Sequence, residues 1–149
     1  MRARRLMPTV VGATSNRHGD SNMPAATRRQ LPAHPPDLGE GYELRSETWG
    51  DISVDFDTFP PHDLAPLLKG LPDDRCQCPH WGFLFRGRVV VRYADHEEHI
   101  EAGQAYYMAP GHAPEALEDC EILQFSPAAE LRRTLEVMGR NMATMGAPR

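Results

Sequence analysis

The sequence predicts an all-β barrel or sandwich, preceded by a basic leader and followed by one helix. Three observations carry this prediction. Between residues 80 and 125 short apolar or alternating runs succeed one another, each closed by Gly, Pro or Asp turns. Before residue 37 no helical or strand period is sustained. After Pro127, the residues Leu131, Leu135, Met138 and Met142 fall on one helical stripe.

Taken in order, residues 1–36 are rich in Arg, Ala, Ser, Thr, Asn and Pro, end in LPAHPP, and are expected to form a disordered leader. Residues 37–126 are expected to form the barrel, and residues 127–149 the helix and tail. YELRSETWGDISVDFDTF predicts two strands around Trp49-Gly50-Asp51. In the second, Ile52, Val54 and Phe56 alternate with Ser53, Asp55 and Asp57, which implies one buried apolar face. Leu64, Leu67 and Leu68 share one side of a helical turn that Pro66 shortens and Gly70 stops. Strands then follow over 80–85, 88–93, 97–101, 104–108 and 121–125. Trp81 to Phe85 is apolar on both sides and reads as covered on both faces. Ser126 is placed to cap the final helix, with Pro127 at its first position.

Charge excludes some functions. The leader carries six arginines against one aspartate, net +5, so the rest of a chain of net charge −5 carries −10. An acidic body without a basic face is not expected to bind nucleic acid, although the leader can touch phosphates nonspecifically. No apolar run reaches the roughly 20 residues that span a bilayer, so no membrane partner is expected. Leu6 to Ala13 is interrupted by Pro8 and Gly12 and does not make a signal-peptide core. Three cysteines, two of them one residue apart, do not build a disulfide framework, and a reducing cytoplasm is the expected compartment.

The chemistry concentrates in DRCQCPHWGFLFRG. If Cys76 to His80 is extended, Cys76, Cys78 and His80 share one face and offer two thiolates and an imidazole. That set suits zinc, and also copper(I) or iron. Pro79 removes a ladder donor and weakens the extended geometry. Two small buried cysteines with a hydrogen-bonded core histidine are the alternative. A redox pair is disfavoured, because the C-x-C spacing lacks the helix N-terminus that activates C-x-x-C thiols. Trp81, Phe83, Phe85, Tyr106 and Tyr107 are candidates to line an apolar ligand cavity, or else ordinary core. His96 and His99 lie in the acidic turn ADHEEHIE and read as solvated, His62 is a further candidate ligand, and Cys120 is expected to pack.

The segments WGFLFRGRVVVRY around Gly87 and GQAYYMAPGH from Gly103 resemble the two signature segments of the cupin superfamily, small double-stranded β-helix (jelly-roll) barrels. Residues 88–102 match the short inter-motif loop of its compact members, and the resemblance covers about 42–125. The departures are specific. The superfamily's first segment supplies two histidines one residue apart and then a glutamate seven residues before the turn glycine. Here His80 stands at the glutamate position, Cys76 falls near the second histidine, and Pro114 occupies the usual position of the last histidine. The usual iron-dioxygenase triad is therefore absent.

The resemblance implies that the turn holding His112 lies beside the start of the first segment, which makes His112 the candidate fourth ligand. A divalent metal, zinc in preference to iron or copper, is then expected at the barrel mouth on Cys76, Cys78, His80 and His112. The expected function is to act on or sense a small molecule, with Glu115 as a candidate acid or base. The alternative is a metal-free binding or structural barrel without catalysis, because the fold does not decide activity. The resemblance also implies a homodimer.

Overall fold

In the computed structural model, which describes residues 25–34 and 39–146, the chain forms two antiparallel sheets and a C-terminal helix. The strands are β1 (Ala33–His34), β2 (Glu43–Trp49), β3 (Ile52–Phe59), β4 (His62–Asp63), β5 (His80–Arg86), β6 (Arg88–Arg92), β7 (Glu97–Glu101), β8 (Ala105–Met108), β9 (Ala113–Ala116) and β10 (Cys120–Pro127), followed by helix α1 (Ala128–Met145). One sheet runs β1-β2-β3-β10-β5-β8 and the other β4-β9-β6-β7. The last eight strands therefore divide into two sets of four, β3-β10-β5-β8 and β4-β9-β6-β7, the order of an eight-stranded jelly roll, the fold of the cupins. β1 and β2 extend it beyond the β3 edge. Among the described residues no helix is long and apolar enough to cross a membrane.

The core lies between the sheets and contains Leu84, Val89, Val91, Ile100, Met108, Ala116, Cys120 and Ile122. Cys120 packs there, as expected, against the turn at Gly87. A Cβ on Gly87 would approach Cys120 Sγ and the Asp119 carbonyl to 2.6 Å, and its φ of 96° lies in the left-handed region.

Several sequence expectations change in three dimensions. β3 is turned over: Asp55 and Asp57 line the interior cavity, while Val54, Phe56 and Thr58 face the other side of the sheet. That outer side is partly covered by residues 28–31. Arg28 bonds Glu43, Thr58 and Glu121, which form one row across β2, β3 and β10, and Leu31 is 1% exposed. Part of the expected leader is thus packed, because one apolar side chain and one arginine find partners on the sheet. Residues 1–24 and 35–36 of the leader lie outside the described residues.

β5 is not covered on both faces either: His80 and Leu84 point inward, whereas Trp81 and Phe85 are each 47% exposed. Ser126 lies within β10 instead of capping α1, and Pro127, the last residue of β10, takes the N-cap position. β9, with Pro114 in it, was not expected as a strand; it pairs with β6 and β4. The stripe on α1 does cover the barrel, with Leu131, Leu135 and Met138 lining the cavity. Asn141 anchors the helix by donating from Nδ2 to the Leu67 and Lys69 carbonyls at 2.7 and 2.8 Å.

Candidate metal centre and cavity

Cys76, His80 and His112 come together although they belong to three local structures. Cys76 forms an isolated bridge with His112, its N–H donating to the His112 carbonyl at 2.8 Å and its own carbonyl accepting from Gly111 N at 2.7 Å. His80 opens β5 on its inward face, and His112 immediately precedes β9. One possible ligand atom from each residue lies within 4.8 Å of the other two, and all three residues are buried. Cys76 Sγ is 3.6 Å from His80 Nε2, and the two imidazoles meet edge to face at 5.0 Å between centroids.

Hydrogen bonds orient the two rings. His112 Nδ1 donates to the Ala109 carbonyl at 2.6 Å, which places its proton on Nδ1 and leaves Nε2 as a lone-pair donor. That Nε2 is buried and has no hydrogen-bond partner among the described residues, although His112 is only 1% exposed. A buried nitrogen without a partner costs about 1–3 kcal/mol, so it asks for an occupant. His80 Nδ1 is 2.7 Å from the hydroxyl of Ser126, which is fully buried. Such a bond on one ring nitrogen holds the other toward a metal.

Burial sets the protonation of the ligands. It lowers His80 to about 3, reinforced by His112, and also lowers His112, so both imidazoles are neutral near pH 7. Burial raises the Cys76 thiol, with bonds from Thr134 and Cys78 acting the other way. Thr134 reaches the thiol from α1, its Oγ1 3.7 Å from Sγ. Two neutral imidazoles and one thiol able to lose its proton fit a zinc-type ligand set with an open position.

The other candidates are placed elsewhere. Cys78 does not join the centre: its Sγ points to the Pro79 and Pro127 carbonyls, at 3.5 and 3.9 Å. The ladder does not extend through Gln77–Pro79, so strand alternation does not carry Cys78 to the face of His80. Burial and the nearby Cys76 push its thiol up to about 12. Glu115 does not face the cavity; its side chain is paired with Arg92. Of the five aromatic candidates only Tyr106 lines the cavity. Phe83 shares the outward side with Trp81 and Phe85, and Trp81 stacks on Tyr107 at 5.2 Å. His62 lines the cavity without joining the centre, and His96 and His99 are exposed among Asp95, Glu97 and Glu98.

The cavity has a volume of about 410 Å³ and an apolar wall, and Cys76, His80 and His112 contribute to its lining. Its polar residues were not read from the sequence. Ser46, Asp55, Gln124 and Gly82 form one register row across the six-stranded sheet, continued by Tyr106. The Tyr106 hydroxyl crosses over Gly82 and donates to Gln124 Oε1 at 2.8 Å. A Cβ on Gly82 would stand 2.4 Å from the Tyr106 hydroxyl and 2.6 Å from the Leu123 carbonyl. Burial raises Asp55 to about 6 and, helped by the charge of Asp55, raises Asp57 to about 7. An i, i+2 acidic pair beside apolar residues was the available signal; period two gives two faces but not which one is inside.

No family model matches the sequence, and no curated protein matches it. Among solved structures the chain is similar to an RmlC-like cupin from Shewanella frigidimarina, at 14% identity and TM-score 0.49, over 72% of this chain and 93% of that one. It is also similar to a mutant of the oxalate decarboxylase of Bacillus subtilis, at 15% identity and TM-score 0.48, over 68% of this chain and 28% of that one. A cupin-2 domain containing protein from Shewanella frigidimarina is 18% identical, with TM-score 0.41, over 60% of this chain and 84% of that one. The strand order, rather than these distant likenesses, defines the fold here.

Proposed function

We propose that this jelly-roll protein binds one divalent metal through Cys76, His80 and His112 and acts on or senses a small molecule in the adjoining cavity. The observation that carries the reading is the buried, partnerless Nε2 of His112 beside the Cys76 thiol and His80. The thiolate and two imidazoles favour zinc over harder cations. A bound zinc would supply a Lewis acid or an activated water at the cavity wall. The chain's own residues do the rest: Ser126 and the Ala109 carbonyl hold the imidazoles in register, and α1 with the apolar wall restricts water.

Elemental analysis of protein purified without chelator tests this. Near-stoichiometric metal is expected in the wild type and in Cys78→Ser, with loss in Cys76→Ser and His112→Ala. Metal retained in His112→Ala, or absent from the wild type, would refute the reading. Pairing of two copies is proposed through the outer face of the six-stranded sheet, supported by Trp81, Phe85 and Tyr107, which are 47%, 47% and 50% exposed. Sedimentation over a range of concentrations checks it, and a monomer throughout would end that proposal.

A further inference from the structure

Inside the cavity, away from the metal ligands in sequence, β3 presents two carboxyl groups to an apolar space. Asp55 is 9% exposed, and both its oxygens lie 3.1 Å from the Ser53 hydroxyl, whose single proton serves one of them at a time. Asp57 accepts a 3.3 Å bond from Arg45 N on one oxygen, and the other has no hydrogen-bond partner among the described residues. No hydrogen bond joins the two carboxyls, and residues two apart on a strand are separated by about 6.6 Å along it. Among the described residues no lysine or arginine lines the cavity. Of its histidines, His34 is bonded to Ser46 and acts on Asp55 only through its charge, His62 stands edge-on to Tyr42 without bonding either carboxyl, and His80 and His112 belong to the proposed centre.

Buried carboxylates require a counter-charge or donors to offset their lost hydration. Here the hydrogen bonds come from one hydroxyl and one backbone N–H, and the charges of His34 on Asp55 and Arg28 on Asp57 are outweighed by burial. The wall of the same cavity also includes His112, whose buried Nε2 has no hydrogen-bond partner among the described residues. Apolar walls with a few convergent polar groups and a volume of about 410 Å³ describe a small-ligand site.

We infer that the cavity takes a small organic amine, its ammonium bound by Asp55 and Asp57 and its apolar body lying along Leu84, Met108 and Ile122. An ammonium supplies three donors and a positive charge inside the cavity, whereas a carboxylate ligand would add a third anion and an alcohol only one donor. The inference rests on the ligand-binding part of the proposed function and is independent of metal occupancy. Tyr106 and Gln124 close the polar row next to Asp55, bonded to each other, and so add shape without competing for the ammonium.

Calorimetric titration of the full chain at pH 7.5 with hexylamine, hexanol and hexanoate tests the inference, with metal content measured on the same samples. Hexylamine is expected to bind about tenfold or more tighter than hexanol, with hexanoate weakest. Asp57→Asn and Asp55→Asn, each checked for folding by circular dichroism, are expected to lose that preference while keeping their metal. Chelator-stripped wild-type protein is expected to keep the amine preference, which separates failure of the metal reading from failure of this one. Equal binding of hexylamine and hexanol, no binding of any probe, or an unchanged preference in both folded aspartate variants would overturn it.

Discussion

Replacing Asp57 by Asn gives a stability change whose pH dependence follows from the cavity wall. Burial, with the charge of Asp55 beside it, raises the Asp57 carboxyl to about 7 in the fold, against roughly 3.9 in the unfolded chain. The native state therefore holds this proton more tightly, and stability falls as pH rises between the two values. The penalty is absent below about pH 4 and complete above about pH 7 to 8. Three units at roughly 1.4 kcal/mol each make it on the order of 4 kcal/mol. The asparagine variant lacks this titration, and its own amide burial cost does not vary with pH. The depressed His80 and His112 destabilise the fold on acidification in both proteins and cancel in the difference. Urea unfolding of chelator-washed protein at pH 4 to 8 measures the difference, using midpoints and m-values. Variant-minus-wild-type stability should rise by about 2–4 kcal/mol over this range. A difference that does not change with pH would refute the picture of a carboxyl buried in an apolar wall.

Three further outcomes check separate parts of the structure. Ser126→Ala removes the hydroxyl 2.7 Å from His80 Nδ1 and should weaken metal binding about 10- to 100-fold with little change in fold; competition with a coloured chelator measures it. Gly82→Ala places a methyl 2.4 Å from the Tyr106 hydroxyl and 2.6 Å from the Leu123 carbonyl, so a loss of about 1–3 kcal/mol is expected in denaturant melts. Leu31→Ala should cost about 2–4 kcal/mol, because a side chain 1% exposed leaves a cavity behind; an unchanged melt would mean that residues 25–34 do not pack on the sheet.

The strands of the barrel were legible because short runs with period two and glycine or proline turns leave few alternatives. The turns at Gly50, Gly87 and Asp95, the short helical turn before Gly70 and the C-terminal helix all appear where the pattern puts them. Three of the four expected ligands also meet, since the resemblance brought the turn at His112 beside Cys76, and the bridge between them is present. Alternation could not say which face of a strand turns inward. For β3 and β5 the more apolar face turned out to be the outer one, partly covered by residues 28–31 and partly exposed in Trp81 and Phe85.

The sequence by itself determined that short β-runs dominate, where they turn, and that soft ligands crowd the start of one strand. Local spacing and turn chemistry act over a few residues and need no knowledge of the rest of the chain. Tertiary structure decided the interior: that Cys78 turns away, that Ser126 serves His80 rather than the helix, and that Asp55 and Asp57 face a cavity. Each of these depends on which sheet lies across the barrel and on partners tens of residues away, such as Ser126 for His80 and Gln124 for Asp55. A period of two fixes the alternation of side chains, but only packing between sheets chooses the buried side.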